Sequence, residues 1–434
     1  MDKMADVLGR AGAWCGQNKY LSAIKNAFQN FMPLTIAGAI GVLWCNVLVN
    51  DQTGLGLFFK PIMALDFLNP AFQAVNFCTI SCITVGITLG IAQEIGVWNM
   101  GAERAGYIPG LVGLAAWLSV TNTSHMVEGA KDAFTGIAGN ELGATGLFTG
   151  MIIGVLSVEL FCFFEKQDAL KIKMPEQVPP GVARAFEVLV PATITLIITA
   201  CIGSACYNLT GLYLNDVIKN GIQGPLGAVG ATIPGVMIIY LVIMLFWLVG
   251  IHGNNMLSAV KEALFTPLAL ENVEAFNKGE TPKNIINMYA LQMWGEFGGS
   301  GVTIGLVIAI MIFGKREDNK AIATLSLVPG LFNINETVTF GIPMVLNPIL
   351  GIPFVVAPLV TIIIGYVLTV IGFCPVACLT VPWTTPPIVF GFLACGANVM
   401  GAVTQAILIV VSTVIYVPFL ISYEKYQNKQ AAEA

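Results

Sequence analysis

A polar break at residues 331–343, LFNINETVTFGIP, interrupts a long apolar stretch of the sequence. Its centre is Glu336, and a carboxylate at membrane depth persists only where it faces protein, water or a ligand. Asn333 and Asn335 add hydrogen-bond donors and acceptors, while flanking prolines and glycines prevent one continuous helix. The pattern predicts a re-entrant hairpin that lines a solute site, with these three residues as substrate ligands.

A second polar stretch, FWLVGIHGNNM at 246–256, ends an apolar segment in glycines, His252 and two asparagines. A neutral imidazole donates from one ring nitrogen and accepts on the other, which suits a sugar hydroxyl or a proton transfer. We therefore expect His252 and Asn255 to bind substrate, and His252 and Glu336 to act together in catalysis. The competing interpretations are structural: a histidine that closes a helix terminus, and a carboxylate held by the amides of its own hairpin tip.

A tryptophan, Trp383, lies between prolines in VPWTTPP at 381–387. Flat sugar faces pack on aromatic rings, and the competing role is an interfacial membrane anchor. Glu296, in the glycine-rich stretch WGEFGGSG at 294–301, could be a hinge residue or a second polar contact. No metal site or cofactor is expected, because the cysteines lack metal-ligand surroundings and the sequence has only two histidines.

The chain that positions these residues has the composition of a polytopic membrane protein. Of its 434 residues 56% are hydrophobic and 10% are charged, against roughly 25% charged residues in soluble domains. Apolar stretches longer than about 18 residues predict membrane helices rather than an outer-membrane barrel. We find no basic patch for nucleic acid and no GxxxxGK[ST] loop for ATP. The first residues lack the apolar core of a signal peptide, so we expect the N-terminus to stay cytoplasmic.

The positive-inside rule sets the direction of the predicted spans. It places on the cytoplasmic side the basic loops 165–185 and 314–320 and the basic C-terminal tail. Apolar spans are predicted at 28–49, 73–95, 105–121, 142–164, 186–213, 231–252, 299–313, 351–373 and 400–421. A consistent topology needs a tenth, broken crossing in 253–298, which we place within MLSAVKEALFTPLAL. The proline-interrupted pieces near 321–350 and 380–398 are predicted as two re-entrant hairpins. The first 27 residues are expected to form a helix on the cytoplasmic surface.

Six ordered stretches carry a resemblance to a known family: AIKNAFQNFMPLTIAGA at 23–39, MPEQVPPGVARAFEVLVPA at 174–192, GIHG at 250–253, FGGSGVTIGL at 297–306, LFNINETVTFGIPMVLNP at 331–348 and VPWTTPP at 381–387. Together they resemble the membrane subunit IIC of the bacterial phosphoenolpyruvate-dependent sugar phosphotransferase system, in its lactose, cellobiose and diacetylchitobiose family. The resemblance implies an all-α fold of ten membrane helices and two re-entrant hairpins. It also implies a homodimer and elevator-type transport, with residues 1–213 as scaffold and 214–434 as transport half.

Carried onto this sequence, the resemblance places the GIHG histidine at His252, the NINE glutamate at Glu336 and the PW tryptophan at Trp383. It implies that His252 and Glu336 contact the sugar around the hydroxyl that becomes phosphorylated. Mechanistically, Glu336 would accept a hydrogen bond from that hydroxyl and draw off its proton, while His252 orients it.

We therefore predict a multi-pass permease of the bacterial inner membrane, with both termini cytoplasmic. A disaccharide of cellobiose, diacetylchitobiose or lactose type crosses the lipid bilayer and is phosphorylated by a separate IIB subunit, with IIA upstream. The chain would then be the membrane component of a phosphotransferase whose phosphorylated cysteine lies on IIB. The alternative is a proton-coupled sugar symporter, in which His252 and Glu336 form a proton relay.

Overall fold

The structure, a computed structural model, describes residues 10, 14, 17–51, 55–125, 134–175, 177–225, 230–342, 344 and 347–433. Regular structure in this part of the chain is helical, apart from the two short antiparallel strands β1 (Ser124–His125) and β2 (Phe134–Thr135). Much of the surface helix predicted over the first 27 residues lies outside the described residues, as does Pro343 of the polar break.

The described α-helices are, in chain order, α1 (Lys19–Leu43), α2 (Leu55–Phe58), α3 (Asn69–Cys78), α4 (Ile83–Met100), α5 (Ala102–Ala105), α6 (Ile108–Val120), α7 (Gly139–Leu142), α8 (Ala144–Glu165), α9 (Pro180–Thr210), α10 (Leu214–Ile218), α11 (Ile233–Leu248), α12 (Gly253–Met256), α13 (Ser258–Asn277), α14 (Met288–Gly295), α15 (Ile304–Phe313), α16 (Glu317–Leu331), α17 (Glu336–Gly341), α18 (Gly351–Val370), α19 (Val389–Ala394) and α20 (Val399–Glu433). Short 3-10 or π segments lie at Trp44–Leu48, Lys60–Leu68, Ile80–Cys82, Asp168–Leu170, Lys219–Gln223 and Ser300–Val302.

Several of these helices are long and apolar enough to cross a membrane. In the described part of the chain there are six: Lys19–Leu48, Lys60–Met100, Ala144–Glu165, Pro180–Thr210, Gly351–Val370 and Val399–Gln430. A pair bent by 60°, Met288–Val302 with Ile304–Phe313, gives a seventh if it is one span, and α6 and α11 are apolar but shorter. An all-helical, multi-pass membrane protein is thus confirmed, while the number of ten spans stays a prediction.

The stretch in which we placed the broken crossing has no break at its proline. MLSAVKEALFTPLAL belongs largely to α13, which continues through Pro267, and a tenth crossing in 253–298 stays a prediction. The chain bends between α14 and α15, inside the predicted span 299–313. Three glycines at this bend, Gly298, Gly299 and Gly301, adopt positive φ, which glycine tolerates because it has no Cβ.

Neighbouring side chains satisfy the backbone of this bend. The Tyr416 hydroxyl of α20 donates a 2.7 Å hydrogen bond to the Gly301 carbonyl, and Thr303 Oγ1 donates one of 2.6 Å to the Gly298 carbonyl. α15 and α18 both pack against α20. Irregular backbone at membrane depth is tolerated where protein supplies such partners, so these hydrogen bonds stabilise the bend.

By packing, the chain divides into two compact units, Gln17–Gly38 with Ala74–Ala228, and Met1–Gly16 with Ala39–Gln73 and Val229–Ala434. In the first unit α4 packs against α6 and α8, and small residues let the helices approach closely. A Cβ on Gly150 would clash with Thr88 Oγ1 at 2.2 Å, so glycine at this position permits the close helix packing common in membrane bundles. The division into a scaffold and a transport half concerns function and stays a prediction.

Candidate functional site

A cavity of about 590 Å³ in the second unit is lined by all six residues that the sequence singles out as site residues: His252, Asn255, Asn333, Asn335, Glu336 and Trp383. Its volume lies within the roughly 300–1,000 Å³ of small-molecule sites. The residues come from three separate segments of the chain, namely the start of α12, the break between α16 and α17, and the loop before α19. The fold therefore brings the predicted ligands to one place.

His252 combines a structural and a chemical role. It is the N-cap of α12, and its Nδ1 accepts a 3.2 Å hydrogen bond from the Asn255 backbone N–H. An imidazole nitrogen that accepts an N–H is unprotonated, so in the neutral ring the proton lies on Nε2. The ring also packs on Trp247, with centroids 4.4 Å apart. Nε2 is thereby fixed as a donor, and it lies 3.8 Å from Glu336 Oε1.

Glu336 is the first residue of α17, and its side chain is 48% exposed. Among the described residues, the partner of its carboxylate is His252, and the amides of its own turn do not hydrogen-bond to it. The 3.8 Å separation from His252 Nε2 exceeds a hydrogen bond, whose usual N–O distance is about 2.9 Å. A hydroxyl oxygen placed at hydrogen-bond distance from both groups would close this gap, donating to the carboxylate and accepting from the imidazole.

The side-chain amide of Asn333 is hydrogen-bonded to the backbone of neighbouring loops at both ends. Its φ is +62°, a left-handed conformation that asparagine adopts more readily than most residues. Its Oδ1 accepts a 2.6 Å bond from Gly298 N–H, and its Nδ2 donates to the carbonyls of Trp383 at 2.5 Å and Thr385 at 3.1 Å. The amide therefore ties the polar break to the glycine-rich bend and to the tryptophan loop.

The other predicted residues differ in how much of their surface faces the cavity. Asn335 is buried, with 3% exposed, and donates from Nδ2 to the Ser300 carbonyl at 2.8 Å. Asn255 is exposed at the cavity. Trp383 is 45% exposed as a residue and lines the cavity together with Glu336, where its ring offers an aromatic face.

The cavity also contains polar residues that sequence reasoning missed or left undecided. Lys261 and Glu296 form a buried ion pair, and the Tyr240 hydroxyl donates to Glu296 Oε1 at 2.6 Å. Gln292 and Gln405 line the same cavity. A lysine inside the largely apolar MLSAVKEALF was a signal for such a pair, because an isolated charge at this depth requires a partner. In the described part of the chain, no cluster of histidine, cysteine and acidic side chains is suited to a metal ion.

Comparison with known proteins identifies the family. The family model described as "Phosphotransferase system, EIIC" matches residues 25–358. The chain is 33% identical to the oligo-beta-mannoside-specific EIIC component of Bacillus subtilis (strain 168), covering 98% of this chain and 94% of that one. It is 30% identical to the cellobiose-specific EIIC component of Lactococcus lactis subsp. lactis (strain IL1403), covering 98% of each.

A solved structure agrees with these relatives. The crystal structure of the transporter ChbC, the IIC component from the N,N'-diacetylchitobiose-specific phosphotransferase system, superimposes with a TM-score of 0.88 at 29% identity and covers 97% of each chain. These matches give no support to the alternative of a proton-coupled symporter. The chain therefore belongs to the EIIC family of the phosphotransferase system and is a multi-pass membrane sugar permease of that system.

Proposed function

We propose that this permease carries a neutral disaccharide into the cell and presents it to a separate phosphorylated EIIB protein. The observation that carries the proposal is the pair of His252 Nε2 and Glu336 Oε1, 3.8 Å apart at a cavity large enough for a small sugar. The names of the relatives support the substrate class, since they are specific for cellobiose, an oligo-beta-mannoside and N,N'-diacetylchitobiose.

The chemistry follows from the two side chains. Glu336 accepts a hydrogen bond from the reacting hydroxyl, and His252 Nε2–H donates to the oxygen of the same hydroxyl. That oxygen attacks the phosphorus of the phosphocysteine on EIIB, the S–P bond breaks, and the hydroxyl proton passes to the Glu336 carboxylate. Trp383 packs on a sugar face and holds the ring in place.

The proposed membrane arrangement keeps the predicted ten spans, with re-entrant hairpins near 321–350 and 380–398. The four residues between α16 and α17, Phe332–Asn335, would form the tip of the first hairpin. We propose that residues 1–213 form the scaffold of a homodimer in the bilayer and that 214–434 move the sugar by an elevator motion. Both termini and the loop 314–320 lie on the cytoplasmic side in this arrangement.

Reconstitution into lipid vesicles tests the proposed function. Vesicles containing the purified protein are loaded with phosphorylated EIIB and given labelled cellobiose, lactose or N,N'-diacetylchitobiose outside. We expect the phosphate ester of at least one of these sugars to accumulate inside, and only when EIIB is phosphorylated. Accumulation of unmodified sugar driven by a proton gradient, with no phosphorylated product, would contradict the proposal and favour the symporter.

A further inference from the structure

The His252–Glu336 pair is close enough to bind one hydroxyl of the sugar, so the rest of a disaccharide must contact other groups of the cavity. Which groups are free to do so follows from the hydrogen bonds that each one already makes. Gln405, for example, is fully used. Its Oε1 accepts from the N–H groups of Ile388 and Gly391 at 2.7 and 2.8 Å, and its Nε2 donates to the Met293 carbonyl at 3.2 Å.

Two asparagines near the pair, Asn333 and Asn254, are occupied in the same way. Asn333 uses both ends of its amide on the backbone of neighbouring loops. Asn254 donates to Ser300 Oγ at 2.9 Å and accepts from Lys261 Nζ at 3.5 Å. These side chains shape the cavity but have little capacity left for a ligand.

Two polar side chains near the C-terminal end of α14 have free capacity. Gln292 lines the cavity, and its amide makes no hydrogen bond to the described residues; Oε1 is buried, so the part of the amide that a ligand can reach is the Nε2 donor. Glu296 follows four residues later as the C-cap, and its backbone N–H bonds to the Gln292 carbonyl, so the two side chains lie one above the other.

One carboxylate oxygen of Glu296 is fixed by two neighbouring side chains. Its Oε1 receives the Tyr240 hydroxyl at 2.6 Å and the Lys261 ammonium, while Oε2 has no hydrogen bond from the described residues. The side chains of Lys261 and Glu296 are 7% and 16% exposed, so the pair is largely shielded from solvent. Lys261 is thus engaged by a carboxylate, and the groups that remain for a ligand are the Glu296 Oε2 acceptor and the Gln292 Nε2 donor.

We propose that Gln292 and Glu296 bind the sugar ring that is not phosphorylated: Glu296 Oε2 accepts from one of its hydroxyl groups, and Gln292 Nε2 donates to a hydroxyl oxygen. This inference rests on the proposed function and assigns it a specificity-determining contact. The Glu296 carboxylate favours a neutral ring rich in hydroxyl donors and rejects a ring that carries a carboxylate, because like charges repel and Lys261 is already neutralised.

The test compares two ligands on the full-length purified protein: cellobiose, which has both rings, and methyl β-glucoside, which has only the reacting ring. Gln292→Met keeps the side-chain length and removes the amide. We expect cellobiose affinity to fall roughly 3- to 10-fold, as for one neutral hydrogen bond, with methyl β-glucoside affinity unchanged. The sugar-free protein should melt at the same or a higher temperature, because the Gln292 amide makes no hydrogen bond to the described residues that the change could remove. Gln167→Met, at an exposed glutamine outside the cavity, is the matched control.

A second variant, Glu296→Gln, retains an oxygen for the Tyr240 hydroxyl and removes the charge. We expect a larger fall in cellobiose affinity, roughly 10- to 100-fold, again with little effect on methyl β-glucoside. An equal loss for both ligands, or no loss for either in both variants, would overturn the inference while leaving the His252–Glu336 site intact. A wild-type protein that binds none of cellobiose, lactose and N,N'-diacetylchitobiose would overturn the proposed function itself.

Discussion

At the scale of single residues, one side chain can serve the fold and the chemistry together. His252 was open to a structural or a functional interpretation from sequence. In the structure its Nδ1 caps α12, which leaves Nε2 as the nitrogen that faces Glu336. The residue types of the site were predictable because a carboxylate, an imidazole and a tryptophan are rare in apolar sequence. Their arrangement around one cavity was not, since the three residues are distant from one another in the chain.

Asn333 shows this limit most clearly. Its role as a sugar ligand stays a prediction, and the hydrogen bonds of its amide to neighbouring loops lead us to propose a positioning role. Asn333→Asp replaces the Nδ2 donor with a carboxylate oxygen against the carbonyls of Trp383 and Thr385. We expect a loss of about 1–3 kcal/mol of stability for the two hydrogen bonds, seen as a lower melting temperature. Cellobiose should bind roughly tenfold more weakly, because Trp383 is no longer held in place.

Asn18→Asp is the control for this variant. Asn18 Oδ1 accepts from the N–H groups of Tyr20 and Leu21 at 3.1 Å, and an aspartate oxygen can do the same. Its melting temperature and affinity should stay at the wild-type values. A positioning role for Asn333 is ruled out if Asn333→Asp binds cellobiose as tightly as the wild type.

At the scale of secondary-structure elements, it was easier to predict which segments form helices than to predict where the helices break. Long apolar stretches matched long helices, because hydrophobic length alone largely determines a membrane helix. The broken crossing was placed in 253–298, within MLSAVKEALFTPLAL, where α13 runs from Ser258 through Pro267 without a break. The glycine-rich bend between α14 and α15 was not predicted, and it depends on partners such as Tyr416 that no local pattern reveals.

The bend makes a strong prediction at Gly301, whose φ is +78° and whose added Cβ would lie 2.4 Å from the Phe354 ring. Gly301→Ala should cost about 2–5 kcal/mol, the sum of left-handed strain and a clash with a buried ring. The melting temperature of the purified protein measures this. Gly181→Ala, in α9 with open space around its Cα, should be neutral or slightly stabilising. Equal melting temperatures for the two variants would contradict this account of the bend.

The N-terminus of α16 offers a test of topology. Glu317 has an 87% exposed side chain, whereas its neighbour Asn319 is buried against Glu424 and would be a poor reporter. We expect a cysteine at Glu317 to react with a membrane-impermeant reagent only after cells are opened, with the labelled peptide identified by mass spectrometry. A cysteine at Asp51, in a loop predicted to be external, should react in intact cells. Labelling of Glu317→Cys from outside would reverse the predicted orientation.

At the scale of the whole molecule, the all-helical membrane fold and the family were accessible from sequence, because composition and six ordered stretches both carry that information. The two compact units into which the chain divides were not accessible from sequence. Residues 39–73 group with the unit that contains the cavity, although they are distant from it in sequence. Chain order alone could not reveal this grouping, since it depends on which helix faces meet in three dimensions.

The central claim is that Glu336 and His252 bind the hydroxyl that becomes phosphorylated, and Glu336→Gln tests it most directly. Cellobiose affinity and the rate of cellobiose phosphorylation by phosphorylated EIIB are measured on the same preparation, beside His252→Gln and the wild type. We predict that Glu336→Gln weakens binding by about 1.5–3 kcal/mol, and that phosphorylation of bound sugar falls by a further factor on the order of 10²–10⁴, because the proton acceptor is lost. Wild-type affinity and wild-type phosphorylation in both variants would contradict the assignment of the site.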